Sequence, residues 1–277
     1  MEYLKNGDKI IFENVKNFSL NETFLCGQTF RWDEFCGGFR GFAGQYLCHI
    51  CLEGEKLSIT PHSPVENYDE FAGYMFHYLS LDMDYEALKK QFSQDEVMGQ
   101  AIGYAQGIRV INQEFFQTLI TFIISQNNNI PRIKKIVDAL SEKYGTKVGE
   151  VYAFPTAFQL KDVSIEDYNQ LKVGFRSKYI FDAVDRVNKG EISKAQIDKM
   201  TYEQAQKYLL QIKGVGPKVA DCVLLFSCEK YESFPKDVWI NRALEQMFPK
   251  GLPQCIQGFE GIAQQYIFHY ARFHLEK

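Results

Sequence analysis

Two residues form a pair able to do chemistry. The stretch "LLQIKGVGPKVADCVLLF" (209–226) interrupts an apolar helical pattern with Gly214, Gly216 and Pro217, then sets Lys218 at the start of a second apolar run. A lysine there is poorly placed for the helix dipole, which prefers anions at N-termini. The same field, with partial burial, disfavours the charged form, and an uncharged amine is a nucleophile. Further on, "FPKDVWINRAL" (234–244) brings Asp237 to the N-cap of the next helix. A capping aspartate is held rigidly by backbone N–H groups. An amine and a fixed carboxylate converging on one cleft suit a reaction through a cationic transition state, with the carboxylate assisting proton transfers.

The segment between the two apolar runs, "KGVGPK", predicts a tight helical hairpin. Gly214 and Gly216 allow positive φ and leave no side chain in the way of an approaching group. Pro217 fits the first turn of the second helix. The free N–H groups of that turn make a phosphate site, so Lys213, Gly214, Val215 and Gly216 can hold a nucleic-acid backbone without reading its sequence. A plain helical hairpin with glycine caps would use the same residues.

The elements that must position this hairpin follow from pattern. "KIIFENV", "FRGFAGQYLCHICL" and "KLSITP" are β-branched or aromatic runs between turn-forming breaks, and they predict strands over residues 1–60. From about residue 66 the spacing becomes helical, through "VENYDEFAGYMFHYLSLD" and "YEALKKQFS". "EFFQTLITFIISQ" is apolar almost all round, which implies a helix buried inside a domain. In "NNNIPRIKKIVDALSEKYG", Asn129 is an N-cap and Pro131 suits the first turn. Ile133, Ile136, Val137 and Leu140 make one stripe, and Gly145 ends the helix. Ser164 caps a further helix, and others follow at 176–190, 202–212, 217–227, 237–248 and 259–275. The division predicted is a sheet domain with flanking helices over 1–105 and a helical body over 106–277. The last helix is expected to return partly to the first domain.

Composition bounds the partners. The chain has 277 residues, 45% hydrophobic and 15% aromatic, enough for a packed core. No apolar run reaches the roughly 18 residues that span a bilayer. "MEYLKNGDKI" is mixed and polar, unlike a signal peptide, which predicts an intracellular protein. Cys48 and Cys51 form a C-x-x-C, but on a strand, where residues three apart face opposite sides. No second pair completes a zinc site, so neither a metal nor another cofactor is expected. The net charge is −4, yet residues 1–100 carry −8 and the rest +4, which permits a polyanion partner for the back half.

The hairpin and "FPKDVWINRAL" together resemble the signature of the helix-hairpin-helix (HhH-GPD) DNA glycosylase superfamily, in which a lysine at this position marks the bifunctional members. "CGQTFRW" (26–32), "SQNNNIPRI" (125–133), "VGFRSKYI" (173–180) and "GIAQQYIF" (261–268) resemble the 8-oxoguanine DNA glycosylase/AP lyase family. The resemblance covers most of the chain, with five motifs in order. It implies an α+β fold: an N-terminal antiparallel β-sheet domain like half of a TATA-binding protein, followed by an all-helical HhH-GPD body. It also implies a monomer acting on double-stranded DNA that contains 8-oxoguanine, opposite cytosine by preference.

By that resemblance Lys218 attacks the sugar of the damaged nucleotide, and a Schiff base then undergoes β-elimination. Asp237 stabilises charge on the sugar. The Gly27 carbonyl reads the N7 hydrogen that 8-oxoguanine has and guanine lacks. Gln264 reads the Watson–Crick edge, and Phe268 and Cys222 sandwich the ring. Asn127 fills the hole left by the flipped base, Arg132 and Arg176 hold the orphaned cytosine, and Phe175 is the wedge at the kink. Taken alone, Phe268 and Cys222 are also ordinary core positions, and the asparagines ordinary caps. The chain departs from the eukaryotic pattern at Trp239, where a histidine touches a phosphate. Only Cys255 lies beyond residue 228, so the iron–sulfur loop of the endonuclease III branch is missing. A monofunctional alkyl-purine glycosylase and a non-catalytic DNA-binding hairpin are the competing readings. Lys218 argues against the first and the Lys218–Asp237 pair against the second.

Overall fold

A computed structural model describes residues 2–275. Six strands, β1 (Leu4–Asn6), β2 (Lys9–Phe12), β3 (Trp32–Phe35), β4 (Gly38–Ala43), β5 (Tyr46–Glu53) and β6 (Lys56–Pro61), form one antiparallel sheet in the order β1-β2-β6-β5-β4-β3. The long stretch read as a single strand region is a hairpin. Ala43 pairs with Tyr46, and Gly44 takes φ +58° in the two-residue turn between them. Residues 1–60 also hold a short helix, α1 (Leu20–Phe24), capped by Ser19, which the strand pattern did not predict. On β5, Cys48 is fully buried and Cys51 only half-buried, as alternation of faces requires.

The remaining helices are α2 (Tyr68–Tyr78), α3 (Tyr85–Phe92), α4 (Glu96–Tyr104), α5 (Phe115–Ser125), α6 (Ile130–Tyr144), α7 (Ile165–Gln170), α8 (Ser177–Asn188), α9 (Lys194–Ile197), α10 (Tyr202–Leu209), α11 (Pro217–Cys228), α12 (Val238–Gln246) and α13 (Glu260–His274). A two-stranded ribbon, β7 (Lys147–Val148) with β8 (Val151–Tyr152), follows α6. The residue that ends α6, Gly145, is a glycine for a packing reason. Gly145 has φ −82°, but a Cβ there would lie 1.9 Å from the Ala153 carbonyl oxygen.

Two cores result. The sheet closes over α1 and α2, with Phe24 stacked on Trp32 at 4.5 Å and Trp32 Nε1 donating to Tyr78 Oη at 3.0 Å. The larger core surrounds α5 and α11, and it takes in the apolar faces of α3 and α4 although they precede residue 105. Helix α5 is buried on every side, as its all-round apolar pattern predicted. Burying one side chain of this size stabilises the fold by about 1.5–3 kcal/mol.

Buried polar side chains fasten the segment 26–32 between the cores. Gln28 donates to the carbonyls of Thr23 (2.9 Å) and Arg109 (2.7 Å) and accepts the Ile111 N–H at 2.9 Å. Arg31 reaches the Tyr152 carbonyl at 2.6 Å and the Ser141 hydroxyl. Burial pushes its pKa down to about 10. A lost partner for such a buried group costs about 1–3 kcal/mol, so these bonds hold Gly27 in a fixed place. Among the described residues no helix is long and apolar enough to cross a membrane.

Candidate active site and nucleic-acid interface

The hairpin joins α10 to α11. Thr201 and Gln204 form a capping box at its start, and Gly216 and Pro217 open α11. The two glycines do different work. Gly214 has φ +80°, and a Cβ on it would meet the Tyr179 ring at 2.2 Å. Gly216 has φ −96°, not the positive φ that its sequence setting allowed, and a Cβ there would meet nothing within 4 Å. Gly214 is therefore required by the fold, and Gly216 keeps a surface open. Val215 plugs into the core at 5% exposure, and Lys213 is exposed. Behind Lys218, Asp221 is buried and ties the two helices together, accepting from Tyr202 Oη at 2.9 Å and Gln206 Nε2 at 2.6 Å.

Lys218 is half-buried, its Nζ 5.0 Å from the centre of the Phe122 ring. Asp237 caps α12, accepting the Ile240 N–H at 2.8 Å. Both line one pocket together with Gly27, Cys222, Gln264 and Phe268. All the residues expected for the reaction and for base recognition therefore converge. Burial pushes the Cys222 thiol up, and the adjacent Lys218 opposes that shift. Gly27 has φ +92°, a conformation that favours glycine, and Phe268 Cε1 lies 3.9 Å from where a Cβ on it would be. The cavity holds about 50 Å³. That space takes a few waters and is smaller than a purine. Phe268, half-buried in the middle of α13, forms one wall of it.

Five further residues line the pocket that sequence reasoning did not single out: Cys26, Phe122, Phe226, Pro235 and Gln265. Phe122 stacks on Phe226 at 5.5 Å and floors the lysine. Its place in an apolar helix carried no signal. Gln265 did carry one, as half of a polar pair inside the apolar run "GIAQQYIF". Gln264 and Gln265 are each 3% exposed.

The expected wedge residues form a second cluster at the end of α5. Asn127 is exposed with φ +47°. Arg176 is 2% exposed. Its guanidinium donates to the carbonyls of Gln126 (Nε, 2.9 Å), Asn127 (Nη2, 3.1 Å) and Val173 (Nη1, 2.9 Å), and so clamps the Asn127 turn. Burial, with Arg132 close by, holds its pKa below the usual arginine value. Arg132 is exposed and donates to the Lys172 carbonyl at 3.2 Å. Phe175 is 52% exposed and edge-on to Tyr179 at 5.9 Å, which links the wedge to Gly214. Trp239 is half-buried in the first turn of α12, with the Arg242 guanidinium 5.1 Å over its ring.

The geometry agrees with what the chain is similar to. Residues 10–119 match the model of the 8-oxoguanine DNA glycosylase N-terminal domain. The chain is 30% identical to a probable N-glycosylase/DNA lyase of Methanothermobacter thermautotrophicus, over 85% of this chain and 84% of that protein. It is 31% identical to the N-glycosylase/DNA lyase OGG1 of Arabidopsis thaliana over 78% of this chain, and spans 63% of that longer protein. Among solved structures, it superimposes with a TM-score of 0.91 and 35% identity on the Clostridium acetobutylicum 8-oxoguanine glycosylase/lyase in complex with double-stranded DNA containing cytosine opposite 8-oxoguanine. That match covers 99% of this chain and 98% of that one. With the lysine–aspartate pocket, the hairpin and these relatives all in agreement, the chain belongs to the 8-oxoguanine DNA glycosylase/AP lyase family of the helix-hairpin-helix superfamily.

Proposed function

We propose that the chain is a bifunctional repair enzyme that excises 8-oxoguanine from duplex DNA and cleaves the strand at the abasic site. The observation that carries this reading is the shared pocket of Lys218 and Asp237 with Gly27, Cys222, Gln264 and Phe268. The Lys218 amine lone pair attacks C1′, and the bond from C1′ to the base breaks. The base leaves with that electron pair and takes up a proton. Opening of the sugar ring gives a Schiff base. Loss of a C2′ proton then expels the 3′-phosphate and nicks the strand. Asp237, fixed by its cap bond, stabilises the positive charge that develops on the sugar.

Recognition divides among the other residues. The Gly27 carbonyl accepts from N7–H of the lesion and repels the bare N7 of guanine. Gln264 reads the pairing edge. Phe268 swings from its position against Gly27 and stacks on the base, with Cys222 on the other face. Lys213, Gly214, Val215 and Gly216 take the DNA backbone, and Phe175 wedges the kink. Asn127 fills the vacated space. Arg132 meets the orphaned cytosine first, and Arg176 exchanges a carbonyl partner for it. The enzyme acts as an intracellular monomer.

Borohydride trapping tests the reading. Wild type with an 8-oxoguanine duplex should become covalently joined to DNA, and Lys218→Gln should not. Base release without a cross-link would mark a monofunctional glycosylase. Binding with neither would mark a DNA-binding module, and base release by Lys218→Gln at the wild-type rate would remove Lys218 from the mechanism.

A further inference from the structure

A chain of hydrogen bonds crosses the wall of the pocket. Gln264 Nε2 donates to the Pro235 carbonyl at 2.9 Å, Gln265 Nε2 donates to Gln264 Oε1 at 2.6 Å, and Cys26 Sγ lies 3.5 Å from Gln265 Oε1. The direction of this chain is set at one end by chemistry. The Pro235 carbonyl only accepts, so Gln264 must turn its NH2 toward it. Gln264 Oε1 then needs a donor, which Gln265 supplies, and Gln265 Oε1 is left facing a thiol. The thiol proton is shared between Gln265 Oε1 and the Thr23 carbonyl at 3.2 Å, while Gln28 Nε2 approaches the sulfur at 3.4 Å. Burial pushes the Cys26 thiol up to about 11, so it remains a donor at neutral pH.

We propose that Gln265, anchored by Cys26, is a specificity-determining positioning residue: it locks the Gln264 amide in one orientation, so that the pocket accepts a guanine-type pairing edge and rejects an adenine-type one. This rests on the reading of Gln264 as the group that meets the pairing edge. With one N–H and one lone pair already engaged, Gln264 has one N–H and one lone pair left for a base. A guanine-type edge offers an acceptor at O6 beside a donor at N1. An adenine-type edge offers a donor at N6 beside an acceptor at N1, the reverse order. A free glutamine fits either by turning over. Here a turned amide would set Gln264 Oε1 against the Pro235 carbonyl and its NH2 against the Gln265 NH2. Both contacts would be repulsive in a site where both side chains are buried.

8-Oxoguanine and 8-oxoadenine carry the same N7–H and the same oxygen on C8, so they differ only at the edge Gln264 faces. The test is single-turnover excision of each base opposite cytosine, and the readout is the ratio of the two rates within one protein preparation. Loss of folded enzyme lowers both rates and cancels. Gln265→Met keeps the length and removes the donor. It should raise the relative rate on 8-oxoadenine about three- to tenfold, the range expected for one net hydrogen bond. Cys26→Ala should move the ratio in the same direction by less. Gln264→Met is the control for the underlying reading. If Gln264→Met changes the ratio and Gln265→Met does not, the lock is overturned and the edge reading stands. If Gln264→Met leaves the ratio unchanged, the edge reading fails and the lock with it.

Discussion

The two hairpin glycines should respond in opposite ways to the same added methyl group. Gly214→Ala forces an L side chain into φ +80° and drives its Cβ to within 2.2–2.5 Å of the Tyr179 ring. The left-handed conformation costs about 1–2 kcal/mol, and crowding against packed neighbours about 1–3 kcal/mol. Together the loss is about 2–5 kcal/mol, which for a chain of this size lowers the melting midpoint by roughly 4–20 °C. Gly216→Ala meets no atom and needs no unusual φ. As an N-cap, alanine costs only a few tenths to about 1 kcal/mol relative to glycine. On the proposed reading its methyl group instead stands where the hairpin N–H groups would receive a phosphate, so affinity for duplex should fall about tenfold or more. Thermal unfolding and duplex binding at one fixed salt concentration, measured on both variants, decide the matter. Equal melting losses would refute the division between a structural and a surface glycine. Unchanged binding by Gly216→Ala would refute the hairpin as the phosphate site.

Two other perturbations follow from the same geometry. Arg132→Met should lower the preference for cytosine opposite the lesion roughly tenfold or more, because adenine turns a donor toward a guanidinium where cytosine offers acceptors. Single-turnover excision opposite each of the four bases checks it, and identical ratios in both proteins would make Arg132 an ordinary solvated residue. Burial pushes the Asp221 carboxyl above the usual carboxylate range, with the Gln206 and Tyr202 hydrogen bonds opposing. The folded protein therefore holds this proton more tightly than the unfolded chain. The stability it contributes is full below the unfolded value and is lost as pH rises through the folded one. Asp221→Asn should accordingly flatten the fall in melting midpoint as pH rises above the ordinary aspartate range, and a midpoint profile parallel to wild type would refute it.

Local interactions were legible from the sequence for a plain reason: their partners sit within a few residues. Asn129, Ser164 and Asp237 cap their helices as expected, because a side chain that bonds an N–H three residues on is written in the spacing. The all-round apolar character of α5 announced its burial in the same way. Where a residue's neighbours came from elsewhere in the chain, pattern misled or said nothing. Helix α4 escaped notice, and the role of Gly145 lies in a carbonyl eight residues on rather than in its own backbone angle.

Residue types and motif order were thus enough to single out Lys218 and Asp237, the hairpin and the family. Only tertiary structure decided how they meet. The pocket draws on residues 26–27, 122, 218–226, 235–237 and 264–268, and periodicity says which face of a helix is apolar, not which other face it will touch. Arg31 and Arg176 are buried where backbone carbonyls from distant segments accept from their guanidinium groups. The polarity of the Gln264 amide is set by a carbonyl twenty-nine residues away and by its neighbour Gln265, whose own acceptor faces a thiol near the other end of the chain. Such contacts depend on the path of the whole chain, and a string of residue types does not carry that path.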